Sequence, residues 1–135
     1  MPVELRNEQR AVPVDARRLR RKAESLLSAV GRSDSVLSIL LTDDRRITPL
    51  HERWMGEPGA ADVLSFPMNE PGILGDIVIS VETAARRRPK DPARETLRCL
   101  VHGLLHLVGY DHRTERERLQ MNRESLRLQN KVSAP

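Results

Sequence analysis

The sequence predicts an α+β fold, a small mixed β-sheet of about four strands packed with helices. Three observations lead there. Short runs of branched apolar residues, at 36–41, 63–66 and 77–81, have the length and composition of strands. Other segments repeat their apolar residues with a 3.6-residue period. Turn-forming residues separate the two kinds of segment, with no internal repeat, low-complexity tract or Gly/Ser linker among them.

Residues 3–6 read as a first short strand. A helix follows over about 15–30, where Leu19, Ala23, Leu26, Leu27 and Val30 form one stripe and Gly31 stops it. The other face carries Arg17, Arg18, Arg20, Arg21 and Lys22. The run 36–41 is interrupted only by Ser38 and suits a buried strand, and Asp43 or Asp44 then caps a second helix that Pro49 kinks or restarts. The strands at 63–66 and 77–81 are separated by Pro67, Asn69, Pro71, Gly72 and Gly75, a turn-rich link. Asp91 and Pro92 form an N-cap and N1 pair that opens the best-defined helix of the chain. Its Leu97, Leu100, Val101, Leu104, Leu105 and Val108 share one stripe, and Gly109 ends it. A last, charged helix follows, with a frayed tail expected at about 130–135.

A chain of 135 residues and 15.3 kDa fits one domain, so residues 1–135 are expected to form a single domain. Hydrophobic residues at 39% and charged residues at 31% match an ordinary packed protein. One Trp, one Tyr and one Phe imply an aliphatic core and few platforms for stacking on bases, which argues against base-specific readout. The charged start MPVELRNEQR lacks the apolar stretch of a secretory signal, and no run approaches the roughly 18 apolar residues of a membrane span. A cytoplasmic protein without membrane contact is expected. The single cysteine, Cys99, agrees with a reducing compartment and reads as a small buried hydrophobe.

The net charge is +4, and 20 of the 23 cations are arginine. Arg86, Arg87 and Arg88 with Lys90 form a second cluster, and arginine forks suit phosphate oxygens. In the last helix Arg116, Arg118, Arg123 and Arg127 alternate with Glu115, Glu117 and Glu124, as on any solvated helix face. Each run fits either reading; together they fit a polyanionic partner.

His102 and His106 lie at i and i+4, nearly opposite the centre of their helix's apolar stripe, so they face away from its packing surface. That spacing puts the two Cβ atoms about 5 to 6 Å apart, close enough for both imidazoles to meet one ion. His112 comes back after the glycine turn. The pattern H-x3-H-x5-H, with glycine after the second histidine, is the ligand spacing of metzincin zinc proteases. Three protein ligands leave a tetrahedral position open for water, the arrangement of a catalytic zinc, although another divalent transition metal fits the same donors. Such an ion serves carbonyl and phosphoryl hydrolysis alike. Metzincins carry their general-base glutamate directly after the first histidine, where this chain has Gly103, so ordinary peptide hydrolysis lacks its base. Asp111 either assists the water and orients an imidazole, or stabilises the turn. His51 stands apart and reads as helix surface or capping.

The eleven residues HGLLHLVGYDH at 102–112 closely resemble the signature of the YbeY family, bacterial rRNA maturation factors described as single-strand-specific endoribonucleases. Asp62-Val63-Leu64-Ser65-Phe66-Pro67 resembles that family's central strand, and Gly75-Asp76-Ile77 its next one. The likeness runs from about Val36 to Leu128. It implies an α+β fold with a mostly parallel or mixed sheet, a zincin-like metal-binding helix, and zinc held by His102, His106 and His112. It also implies work on ribosomal RNA precursors, at the 16S rRNA 3′ end, and in ribosome quality control, with small-subunit ribosomal proteins and the Era GTPase as partners. Where many relatives read Tyr-Arg-Gly before the central strand, this chain reads Trp54-Met55-Gly56, and it is short between Pro67 and Leu74. Another arginine must then face the phosphate: Arg53, or one of Arg86 to Arg88.

A metal-dependent endoribonuclease is therefore the leading expectation. A peptidase-like metal hydrolase, and a ribosome-assembly factor with a structural metal, are the alternatives.

Overall fold

A computed structural model describes residues 3–133, apart from the side chain of Asn69. The elements run β1 (Val3–Asn7), α1 (Ala16–Ala29), β2 (Val36–Thr42), α2 (Asp44–Met55), β3 (Val63–Glu70), β4 (Ile73–Ser80), α3 (Val81–Arg87), α4 (Pro92–Leu107) and α5 (Glu115–Ser133). The strands form one mixed sheet in the order β1-β2-β4-β3, parallel between β1, β2 and β4 and antiparallel between β4 and β3. The α+β class and the four mixed strands are as expected.

Alternation along the strands divides the packing between two faces. Leu37, Ile39, Leu41, Ile77 and Ile79 belong to the main core together with Leu19, Ala23, Leu26 and Leu27 of α1, the apolar stripe of α4, and Met121, Leu128 and Val132 of α5. Leu64 and Val78 point the other way and meet Ile47 of α2 in a smaller cluster, flanked by Leu40, Leu50 and Phe66. The helix starts follow the sequence. Asp15, Asp43 and Asp91 each accept from the backbone N–H three residues on, the side-chain cap that satisfies one of the orphan donors of a first turn.

Five local expectations are corrected. β3 does not stop at Phe66 but continues to Glu70, and the turn-rich link shrinks to Pro71 and Gly72. Pro67 is tolerated because β3 is an edge strand and its pairing is irregular there, so no ladder bond is forfeited in a sheet interior. Gly75 lies inside β4 with φ +150, where an added Cβ would stand 2.5 Å from the Phe66 carbonyl oxygen; it marks a close strand approach rather than a turn. Val81 opens α3, a seven-residue helix absent from the sequence reading, with Ser80 Oγ accepting from Thr83 N at its start. α2 runs through Pro49 without restarting. α5 continues to Ser133 with Val132 buried, so the frayed tail expected from about 130 is helical to that point, and residues 134 and 135 lie outside the described residues.

Candidate metal centre

The last turns of α4 and the segment after it carry the site. Burial of Leu97, Leu100, Val101, Leu104 and Leu105 fixes the rotation of α4, which turns His102 and His106 away from the core. Val108 N donates to the Leu104 carbonyl, Gly109 takes φ +106, and Tyr110 N donates back to the Leu105 carbonyl at 2.9 Å. This reversal, open to glycine and strained for other residues, returns His112 to the histidines of the helix.

The three imidazoles converge. His102 Nε2 and His106 Nε2 are 3.2 Å apart. Ring centroids are separated by 4.7 Å for His102 and His106, 5.0 Å for His106 and His112, and 5.9 Å for His102 and His112. One donor nitrogen from each lies within 4.8 Å of the others. Two nitrogens bound at about 2.0–2.1 Å to a tetrahedral ion stand about 3.3 Å apart, so the first pair is already at ligand spacing. His102 and His106 are half-buried and His112 exposed, which leaves the cluster open on one side. Burial, then the neighbouring His106, push His102 down to about 4, and burial with His112 lowers His106. At neutral pH both rings hold the uncharged form that a metal needs.

Asp111 accepts from the His112 N–H at 2.8 Å and pairs with Arg113 at 2.9 Å. The His112 N–H holds its carboxyl below the usual carboxylate range, so it is ionised at neutral pH. Gly103 faces the sheet: an added Cβ would lie 2.9 Å from Ile77 Cγ2, 3.0 Å from Ser65 Oγ and 3.2 Å from Val63 Cγ2. A side chain at 103 would therefore enter the helix–sheet contact rather than the histidine cluster. His51 has a local duty, with Nδ1 2.9 Å from the Gly59 carbonyl oxygen.

The arginines sort differently from the expectation. Arg86 pairs with Asp44, Arg87 with Asp62 and Arg88 with Glu95, so all three are committed to acidic neighbours. α2 is helical through Met55, which turns Arg53 about 200° from Met55. Arg53 instead lies over the Trp54 ring, 5.4 Å from its centroid. Sequence reading missed Arg98, one turn before His102 on the same face of α4. Arg98 bonds Glu95 at 2.8 Å and Asp62 at 3.1 Å, and its charge, like that of Asp62, is felt at His102. The i, i+4 spacing to His102 was the available signal. Asp62, Glu95 and Cys99 also approach one another, but Arg87, Arg88 and Arg98 already meet the two carboxylates. Burial pushes the Cys99 thiol up to about 12. A cavity of about 440 Å³ beside Arg18, Leu19, Asp91 and Arg94 lies at the opposite end of α4 and touches none of the histidines.

A family model described as Endoribonuclease YbeY matches residues 4–133. A relative of that name from Anaeromyxobacter sp. (strain Fw109-5) is 46% identical, over 95% of this chain and 70% of its own length. Another from Anaeromyxobacter dehalogenans is 54% identical over 72% of this chain, and the match spans 54% of that relative. One from Thermobifida fusca is 42% identical over 99% of this chain and 93% of its own. A solution structure of a Thermotoga maritima protein superposes with TM-score 0.67 at 23% identity, covering 96% of this chain and 88% of that one, which shows a shared fold.

Proposed function

This chain belongs to the Endoribonuclease YbeY family, and on that premise we propose that it is a metal-dependent, single-strand-specific endoribonuclease of ribosomal RNA maturation. Its substrate would be an rRNA precursor, at the 16S rRNA 3′ end, and its wider role ribosome quality control in the cytoplasm. Small-subunit ribosomal proteins and the Era GTPase are partners implied by the resemblance alone. Residues 1–135 would act as one hydrolase domain.

The observation that carries the reading is the convergence of three histidine nitrogens on one open point, two of them 3.2 Å apart. His102, His106 and His112 would hold the ion, and zinc is the metal we assign because neutral nitrogen donors in this number suit it. Bound there, zinc supplies a Lewis acid for a phosphoryl oxygen and lowers the pKa of a water toward 7. The protein's own part is to keep the His102 and His106 rings neutral through burial, to hold the His112 backbone N–H through Asp111, and to present the Asp111 carboxylate as proton acceptor beside the third ligand. The packed glycine at 103 supports phosphodiester over peptide hydrolysis, since the protease base has no place there.

The test is cleavage of precursor rRNA by purified protein and by His106→Ala. Cleavage by the wild type, lost with the metal in the variant, supports the proposal. Equal cleavage by both would mean a contaminating nuclease and would sink it.

A further inference from the structure

The chain has three aromatic residues, and the fold brings two of them together. Trp54, in the last turn of α2, meets Phe66 of β3 edge to face, with centroids 6.2 Å apart and planes at 78°. Arg53 caps the indole. We propose that Trp54, backed by Phe66 and Arg53, is a stacking platform for an unpaired RNA base and so a specificity residue for single-stranded substrate. The proposal rests on the ribonuclease reading of the histidine centre.

Core filling does not account for Trp54. The small cluster of Ile47, Leu64 and Val78 is closed by Leu50 and half-buried Phe66, while Trp54 remains 59% exposed. Met55 at 53% and Met68 at 45% add apolar surface on the same helix end and strand. An exposed indole with a guanidinium over it offers a base a π-face and its phosphate a cation, the pairing that sequence-tolerant single-strand binders use. The Arg53 guanidinium over the indole favours an anionic partner with π-faces over an apolar peptide or a second copy of the chain.

Placement links the platform to the chemistry. Ser65 and Phe66 are consecutive on the edge strand and point to opposite faces. Ser65 Oγ donates to the Gly103 carbonyl, between His102 and His106, whereas Phe66 supports Trp54. On this proposal an RNA strand crosses the free edge of β3, from a base on Trp54 to a phosphate at the histidines. Paired RNA keeps its base faces inside the helical stack, so the same platform would refuse a duplex.

Trp54 is the only tryptophan and reports on its own occupancy. The full chain is titrated with a single-stranded 2′-O-methyl oligoribonucleotide of about ten nucleotides, and with its duplex. Indole emission should fall with the single strand and stay level with the duplex. With a labelled oligonucleotide, Trp54→Ala should weaken single-strand binding about tenfold or more, Trp54→Phe should recover most of it, and both should keep wild-type metal content and thermal midpoint. Unchanged affinity in Trp54→Ala would overturn the platform while leaving the nuclease reading standing. Binding of neither RNA form would bring down both. An emission change with protein concentration alone would assign the surface to self-association instead.

Discussion

Ser65 and Gly103 join the edge strand to α4: the Ser65 hydroxyl donates to the Gly103 carbonyl oxygen at 3.0 Å, at the residue that follows His102. Helix and strand can approach this closely because position 103 has no Cβ. Replacing Gly103 by Ala gains about 1 kcal/mol of helix propensity. It also forces methyl contacts under 3.0 Å against the branched Ile77 side chain, an overpacking that costs about 1–3 kcal/mol. We expect net destabilisation with reduced metal content, measured as a lower denaturant midpoint at unchanged m-value and by elemental analysis. A variant of equal or greater stability would show that α4 can slide, contrary to the packing described.

Arg98 should be the arginine whose loss is felt most in stability. Glu95 is 5% exposed and Arg98 holds it at 2.8 Å; without it the carboxylate keeps only Arg88, at 3.7 Å. Leaving a buried charge short of its partner costs about 2–4 kcal/mol. Chemical denaturation of Arg98→Ala and of Arg98→Lys should rank them below wild type, the lysine losing the second contact to Asp62. An exposed control such as Arg123→Ala should stay near wild type.

Cys99 gives a pH signature. Its thiol is fully buried and pushed up from an ordinary 9.0 to about 12. A folded-state value above the unfolded one means that the unfolded chain releases the proton first. The associated stability is complete below about pH 9 and is lost as pH rises toward 12. Wild type should therefore lose more stability than Cys99→Ala over that window. At pH 8 the native thiol should resist a disulfide exchange reagent that labels it fully in denaturant. Rapid labelling of the native chain would contradict the burial.

RNA affinity should fall steeply with salt, since the chain offers arginine forks and few rings. With three or four phosphates engaged, about tenfold or more should be lost between about 50 and 200 mM salt. Because Arg86, Arg87 and Arg88 are each held by a carboxylate, their triple alanine variant should lower stability more than it lowers the salt slope. A collapsed slope with intact stability would reverse that assignment.

The features legible in the sequence are those set by residues near one another along the chain. The Asp91-Pro92 start, the apolar stripe of α4 and the i, i+4 histidines with their glycine turn all rest on local rules, and the structure brings the three histidines together. What escaped depends on distant partners. Pro67 reads as a turn until β3 is known to lie at the sheet edge, and the apolar run through Val81 hides the point where Ser80 ends a strand and caps α3. The partners of Arg86 to Arg88 come from Asp44, Asp62 and Glu95, and the meeting of Trp54 with Phe66 needs α2 docked on β3. No spacing rule reports such pairs.

The position of the histidines at the finishing end of α4 has an electrical consequence. Peptide dipoles aligned along its sixteen residues leave about half a negative charge at that end. Helices elsewhere settle this with a lysine or arginine in the final turn, but α4 has only His106 there, held neutral by its surroundings. A divalent cation at the three rings would complete the helix as well as the reaction centre. Loading the ion should then steady a last turn that the Val108 and Tyr110 N–H groups already close.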